Sequence, residues 1–223
     1  PENDQVAEVN YALGLVYEKA RDVSKATTHL AEALRFFKMK RNRAGAANVY
    51  HTLARMKASE CAESGSLDDR AAAMECYEEA LKIRRQVVSL DDTDLASILF
   101  EYGSLLFDDG ELKRALPLLE EGLRIQKSSK GLKDARVANI LLKIAEVHVA
   151  DGKFDSSLVS LEQVVLIEGS IDYDDDIDLS KCHYLLGVTY IAREEIEKAI
   201  DTLSEALELK ESIFGRKSLE CAS

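Results

Sequence analysis

Apolar residues recur along this chain at three- and four-residue spacing in ten separate stretches, which is the period of amphipathic helices. Five of the stretches share one internal pattern. They are AEALRFF (31–37), YEEALKIRR (77–85), EEGLRIQ (120–126), EQVVLIE (162–168) and SEALELK (204–210). A small or slim residue anchors each one: Ala33, Ala80, Gly122, Val164 and Ala206, at intervals of 47, 42, 42 and 42. A second set lies upstream of the first: VNYALGLVYEKA (9–20), NVYHTLARMKA (48–58), LFEYGSLLFDD (99–109), ILLKIAEVHVA (140–150) and CHYLLGVTYIA (182–192). Its small residues are Gly14, Ala54, Gly103, Ala145 and Gly187, at intervals of 40, 49, 42 and 42. The pattern predicts a unit of helix A, turn and helix B, used five times. One such unit cannot bury its own apolar faces, but stacked units can.

The small residues predict where helix A and helix B approach each other most closely, since bulk there would force the pair apart. The turns DDGEL (108–112) and ADGKF (150–154) place Gly110 and Gly152 where a helix ends in left-handed backbone. Seven extra residues in the second unit fall in CAESGSLDDR (61–70) and predict an exposed loop or a lengthened helix end. Pro117 falls inside a predicted helix, where it deletes one backbone hydrogen bond.

The signature Leu-Gly-x-x-Tyr, followed by Ala, a large apolar residue and Ala, resembles the tetratricopeptide repeat. It reads Leu13, Gly14, Tyr17, Ala26, Leu30, Ala33 in the first unit and Leu186, Gly187, Tyr190, Ala199, Leu203, Ala206 in the fifth. The longer 42-residue period resembles the tetratricopeptide domain of kinesin light chains, as do ALKIRRQVVSLDDTDLA (80–96) and ALPLLEEGLRI (115–125). The resemblance implies an all-α, α-α superhelix: a right-handed tetratricopeptide solenoid of about five repeats and ten main helices. The chain is expected to form one domain over 1–223, with repeats near 6–42, 43–91, 92–133, 134–175 and 176–217. Pro1 in place of Met suggests a piece of a longer protein, and SIFGRKSLECAS (212–223) aligns with QVVSLDDTDLAS (86–97), which leads into a helix A.

The same resemblance implies that helix A lines a concave groove. Its central row would be Tyr11, His51, Phe100, Leu142 and Tyr184. One turn on lie Leu15, Arg55, Ser104, Glu146 and Val188, and one turn before lie Asn48, Ser97, Asn139 and Lys181. These positions are expected to bind an extended peptide or partner helix with the aromatic residues as anchors. The alternative is that neighbouring A helices half-bury them. Kinesin light chains tend to carry an Asn pair on helix A; the corresponding pairs here are Tyr11-Ala12, His51-Thr52, Phe100-Glu101, Leu142-Lys143 and Tyr184-Leu185, so that family's cargo specificity is not carried over. A weaker resemblance is to histone chaperones with an interrupted second repeat.

Charge narrows the partners. The 223 residues carry 41 acidic and 29 basic side chains, a net charge of −12. That argues against a nucleic-acid binder, which needs a basic face to displace counterions. It suits a protein or peptide partner that is basic or carries apolar anchors. Four cysteines without a CxxC pair predict a reduced, cytoplasmic setting. There is no apolar run long enough for a membrane span. The monomer is the favoured state.

Candidate chemistry is sparse. IDYDDDID (171–178) alternates aspartates, but the calcium-loop positions for Gly and Glu hold Ile177 and His183, so it predicts a solvated loop with Asp176 or Asp178 near a helix N-cap. KMKRNR (38–43) predicts either a seat for an acidic segment or cations gathered at a helix C-terminus. His148 and His183 fall at packing positions. Cys182 and His183 are sequence neighbours and diverge on a helix, which argues against a catalytic pair. No catalytic residue, metal site or cofactor is expected. The function expected is a non-catalytic interaction scaffold. The alternatives are a structural spacer or self-association domain, an acidic chaperone-like binder of basic partners, and an enzyme whose catalytic domain lies elsewhere in a longer protein.

Overall fold

A computed structural model describes the backbone of residues 2–87, 93–168 and 178–220, and the side chains of 5–87, 93–168 and 178–212. Among the described residues the chain is all-α and has ten helices: α1 (Glu2–Lys19), α2 (Val23–Met39), α3 (Arg43–Ser64), α4 (Leu67–Arg84), α5 (Thr93–Asp108), α6 (Leu112–Lys130), α7 (Ala135–Ala150), α8 (Phe154–Glu168), α9 (Leu179–Ala192) and α10 (Ile196–Glu220). Odd-numbered helices are the A helices of the sequence pattern, and even-numbered ones are the B helices.

Local chemistry starts many of these helices. The side chains of Asp22, Asn42, Ser66, Asp134 and Asp178 each accept a hydrogen bond from a backbone N–H in the first turn that follows. Such caps satisfy donors that the helix itself cannot. Asp178 is one of the two caps expected from the acidic run; the rest of that run, 171–177, lies outside the described residues.

The A-to-B turns share one geometry. The residue seven places beyond the small residue of helix A is left-handed in four of them: Arg21 (φ 57°), Gly110 (φ 79°), Gly152 (φ 71°) and Glu194 (φ 63°). Glycine takes that conformation without penalty, whereas Arg21 and Glu194 do not. In the second unit the extra residues lengthen α3 to 22 residues, against 16 for α5 and α7, and Gly65 closes it in left-handed backbone. The insertion therefore takes the form of a lengthened helix end closed by a short break at 65–66, and Cys61 at its start is buried.

The close approach of A to B is visible atom by atom. A Cβ built on Gly14 would stand 2.6 Å from Leu30 Cδ2, and one on Gly187 would stand 2.4 Å from Leu203 Cγ. Ala33, Ala54, Ala80, Ala145 and Val164 are wholly buried. The glycines give up helix propensity so that a leucine from the partner helix can lie against bare backbone.

The helices gather into two compact units, Pro1–Leu105 and Leu106–Ser223. In the first, α1 packs on α2, α2 on α3, and α3 on α4. One core cluster there joins Ala7, Leu30, Ala33, Phe37, Val49 and Met56. In the second, α6 packs on α7, α7 on α8, α8 on α9 and α9 on α10. Its core joins Val137, Leu141, Leu161, Val164, Leu185 and Leu186. Fully burying one such leucine contributes about 1.5–3 kcal/mol, which is what holds each helix to its neighbour.

Candidate functional site: the A-helix surfaces

In the first unit, α1 and α3 frame a hollow of about 360 Å³. Tyr11, Leu15, His51 and Arg55 all line it, so four of the expected groove residues converge there. Tyr11 is half-buried, with its hydroxyl 3.3 Å from Thr52 Oγ1. Arg55 Nη2 donates to Glu18 Oε1 at 2.7 Å, which ties the end of α1 to α3. Burial is the largest single influence on Arg55 and opposes its charge, but the Glu18 hydrogen bond together with the charges of Glu18 and Glu101 outweighs it and leaves the guanidinium more basic than usual. A second hollow of about 370 Å³ adjoins the first through Glu18, Lys19 and Arg55.

Beside the first hollow lies a polar and aromatic network that sequence spacing did not reveal. His51 Nε2 is 2.8 Å from Glu101 Oε2, and the Tyr77 hydroxyl donates to the same oxygen at 3.2 Å. Tyr77 stacks on Tyr102 at 5.5 Å between ring centres, and the Tyr102 hydroxyl donates to Glu78 Oε1 at 2.7 Å. Burial, reinforced by the Glu101 charge, pushes the Tyr77 phenol well above its usual range, so it stays a donor.

The other expected residues of this unit are less open. Asn48 is half-buried and its Oδ1 accepts from Arg84 Nη1 at 3.3 Å. Ser97 turns its hydroxyl back onto the Thr93 carbonyl of its own helix. Phe100 is half-buried. Ser104 Oγ is buried with no hydrogen-bond partner among the described residues.

The second unit treats the same positions differently. Leu142 is 5% exposed and belongs to the apolar core, so it offers no groove surface; this corrects the expectation for the central row. The reason is local, since Val137, Leu141, Leu185 and Leu186 close around it. Glu146 is held between two lysines, with Oε1 2.6 Å from Lys181 Nζ and Oε2 3.1 Å from Lys143 Nζ. The Lys143 ammonium also lies 5.0 Å from the centre of the Phe107 ring. Tyr184 is 55% exposed, Val188 and Asn139 are half-buried, and Ile191 is exposed one turn beyond Val188.

Among the described residues, the cysteines and histidines form no cluster of reactive side chains. Burial, with the charges of Glu168 and Asp178, pushes the Cys182 thiol up to about 12, so it is no nucleophile at neutral pH. His183 Nδ1 lies 2.7 Å from Glu205 Oε2, close enough for an ion pair but out of line for a hydrogen bond. His148 is half-buried rather than core, and its Nδ1 has no hydrogen-bond partner among the described residues. Burial, with Lys153 nearby, holds this imidazole below its usual value. No group of three metal-ligating side chains occurs among the described residues. No helix among them is long and apolar enough to cross a membrane.

The sequence model of the tetratricopeptide repeat matches residues 136–212, and a second model with the same description matches 65–94. The chain is a tetratricopeptide-repeat protein. Several solved structures share its fold along most of its length. BtubC (BKLC) from P. vanneervenii superposes with a TM-score of 0.80 at 22% identity, covering 96% of this chain and 83% of that one. A putative kinesin light chain of Podosopora anserina with nearly identical TPR-like repeats gives 0.72 at 17% identity, covering 96% and 98%. YrrB, a TPR protein with an unusual peptide-binding site, gives 0.64 at 16% identity, covering 93% and 90%. A comparison with curated protein sequences returns no significant match. The tetratricopeptide fold works by surface, stacking repeats that present extended faces to partners.

Proposed function

We propose that this chain is a non-catalytic interaction scaffold, and that the hollow between α1 and α3 takes an extended peptide. The observation that carries the reading is the convergence of Tyr11, Leu15, His51 and Arg55 on one opening. The chemistry of that opening is mixed. Glu18 and Arg55 offer an acceptor and a donor, Tyr11 offers a hydroxyl backed by the buried Thr52, and Leu15 and the ring of Tyr11 supply apolar contact. Such a lining suits a peptide backbone with one modest apolar side chain, and charge alone would not recruit it. A peptide-binding site in a structural neighbour, YrrB, agrees with this use of the fold.

The test is selection of peptides from a displayed library on the whole chain, followed by titration against variants. Arg55→Glu and Tyr11→Ala should each weaken the selected peptides about ten-fold, as expected for loss of a central anchor. Equal affinity for the parent and for both folded variants would reject the hollow.

One observation favours a second reading. Val6, Val9, Leu13 and Val16 are all exposed and fall on one stripe of α1. Such a stripe suits packing against another copy. Light scattering across a concentration series decides the matter: a constant monomer mass removes self-association.

A further inference from the structure

A separate hollow of about 360 Å³ lies where the end of α2, the start of α3 and the end of α4 meet. Its floor is apolar, made by Phe37, Ala46 and Ile83. Its rim carries Lys38, Arg41 and Arg43. These are the cations of the KMKRNR stretch, gathered around one opening by the α2–α3 turn. Arg41 sits in that turn with left-handed backbone (φ 56°) and is exposed, as is Arg43.

The ordinary explanation for such cations is that they satisfy the carbonyls at a helix C-terminus. That need is already met here. The carbonyls of Phe36, Phe37 and Lys38 accept backbone N–H groups from Lys40, Asn42 and Arg41. Nor are the two arginines taken up by acids. Arg35, Arg55, Arg84 and Arg193 all pair with a carboxylate. Among the described residues, Arg41 and Arg43 make no ion pair. Lys38 spends its ammonium on the Tyr50 hydroxyl, 2.8 Å away, above the same ring. In a chain of net charge −12, two free guanidinium groups over an apolar floor form a local reversal of sign.

We propose that this hollow docks an acidic peptide segment, with one apolar side chain seated on Phe37 and Ile83 and flanking carboxylates on Arg41 and Arg43. Guanidinium groups bind carboxylates in a two-pronged geometry that a lone ammonium cannot match. The apolar floor favours a peptide over a nucleic acid, and the overall negative charge repels a long polyanion. The site is distinct from the hollow between α1 and α3, so the two can be tested apart.

The probe is a fluorescein-labelled heptapeptide, Asp-Glu-Asp-Phe-Glu-Asp-Glu, titrated with the whole chain at physiological salt and read by anisotropy. Replacing its Phe by Gly should weaken binding about ten-fold, and so should Arg43→Glu in the protein. Arg43 opens α3, where a carboxylate is tolerated or favoured, so this variant keeps the fold. The double variant R41E/R43E should abolish binding, while Arg136→Glu in α7 should leave it unchanged. Equal binding of the Phe and Gly peptides would overturn the proposal. So would undiminished binding by folded R43E, or displacement of the peptide by a short DNA duplex at equal anion concentration.

Discussion

The two compact units use one repeat register to different ends. In the first, helix-A side chains meet polar partners around an opening: Tyr11 meets Thr52, Arg55 meets Glu18, and His51 meets Glu101. In the second, the position equivalent to His51 is Leu142, and it is sealed in the core. The backbone plan is shared, with Gly14 and Gly187 pressed against a leucine of helix B in the same way. What differs is the size and polarity of the side chains beside them. Register decides where a side chain starts; its neighbours decide whether solvent or a ligand can reach it.

Exchanging the two equivalent residues should break that contrast most strongly. Leu142→His would place an imidazole among Val137, Leu141 and Leu186 and should cost about 2–4 kcal/mol in chemical denaturation. His51→Leu gives up one partly exposed hydrogen bond to Glu101, which keeps its contact with Tyr77, and should cost about 1 kcal/mol. Equal losses would mean that the two units are packed alike.

Next in size is the close approach that both units share. Gly187→Ala sets a methyl group against Leu203 and should destabilise by about 1–3 kcal/mol, as should Gly14→Ala against Leu30. A loss at one glycine but not the other would show that only one helix pair is tightly packed.

A smaller effect separates the units by pH. His148 in the second unit resists protonation in the fold, because burial and Lys153 disfavour its charged form. The unfolded chain takes up that proton first. Stability should therefore be fully present above about pH 6.5 and decline as pH falls through the imidazole range. His148→Gln should flatten this decline in thermal melts between neutral pH and mild acid.

The smallest predicted change is a gain. Glu194→Gly relieves left-handed backbone in the last A-to-B turn and should stabilise by about 1 kcal/mol. Arg21→Gly should match it in the first unit.

These comparisons also show what the sequence could reveal. The intervals of 40 to 49 between small residues located both helices of every repeat and the close approach of helix A to helix B at Gly14 and Gly187. Turn glycines marked two of the left-handed positions, while Arg21 and Glu194 hid the other two behind ordinary side chains. The lengthened α3 was legible as an insertion, but its form was not, because CAESGSLDDR has the composition of either a loop or a frayed helix. At the site, Tyr11, Leu15, His51 and Arg55 were found because they follow the repeat. Glu18, Tyr77 and Glu101 were missed, since their contacts join residues 37, 24 and 50 positions apart that no period links. Leu142 was misplaced for the converse reason. Its register pointed to the groove, and only the packed side chains around it show that it is covered. The pairing of KMKRNR with an apolar floor was equally hidden, because Ile83 reaches it from α4.

The central claim is that peptides enter the first unit between α1 and α3. A photoreactive amino acid at Leu15, inside the hollow, tests it against one at Leu166, exposed on α8. A library-selected peptide should crosslink at position 15 and not at 166, and Arg55→Glu should suppress the product. Crosslinking at 166 alone, or at 15 with no dependence on Arg55, would contradict the account.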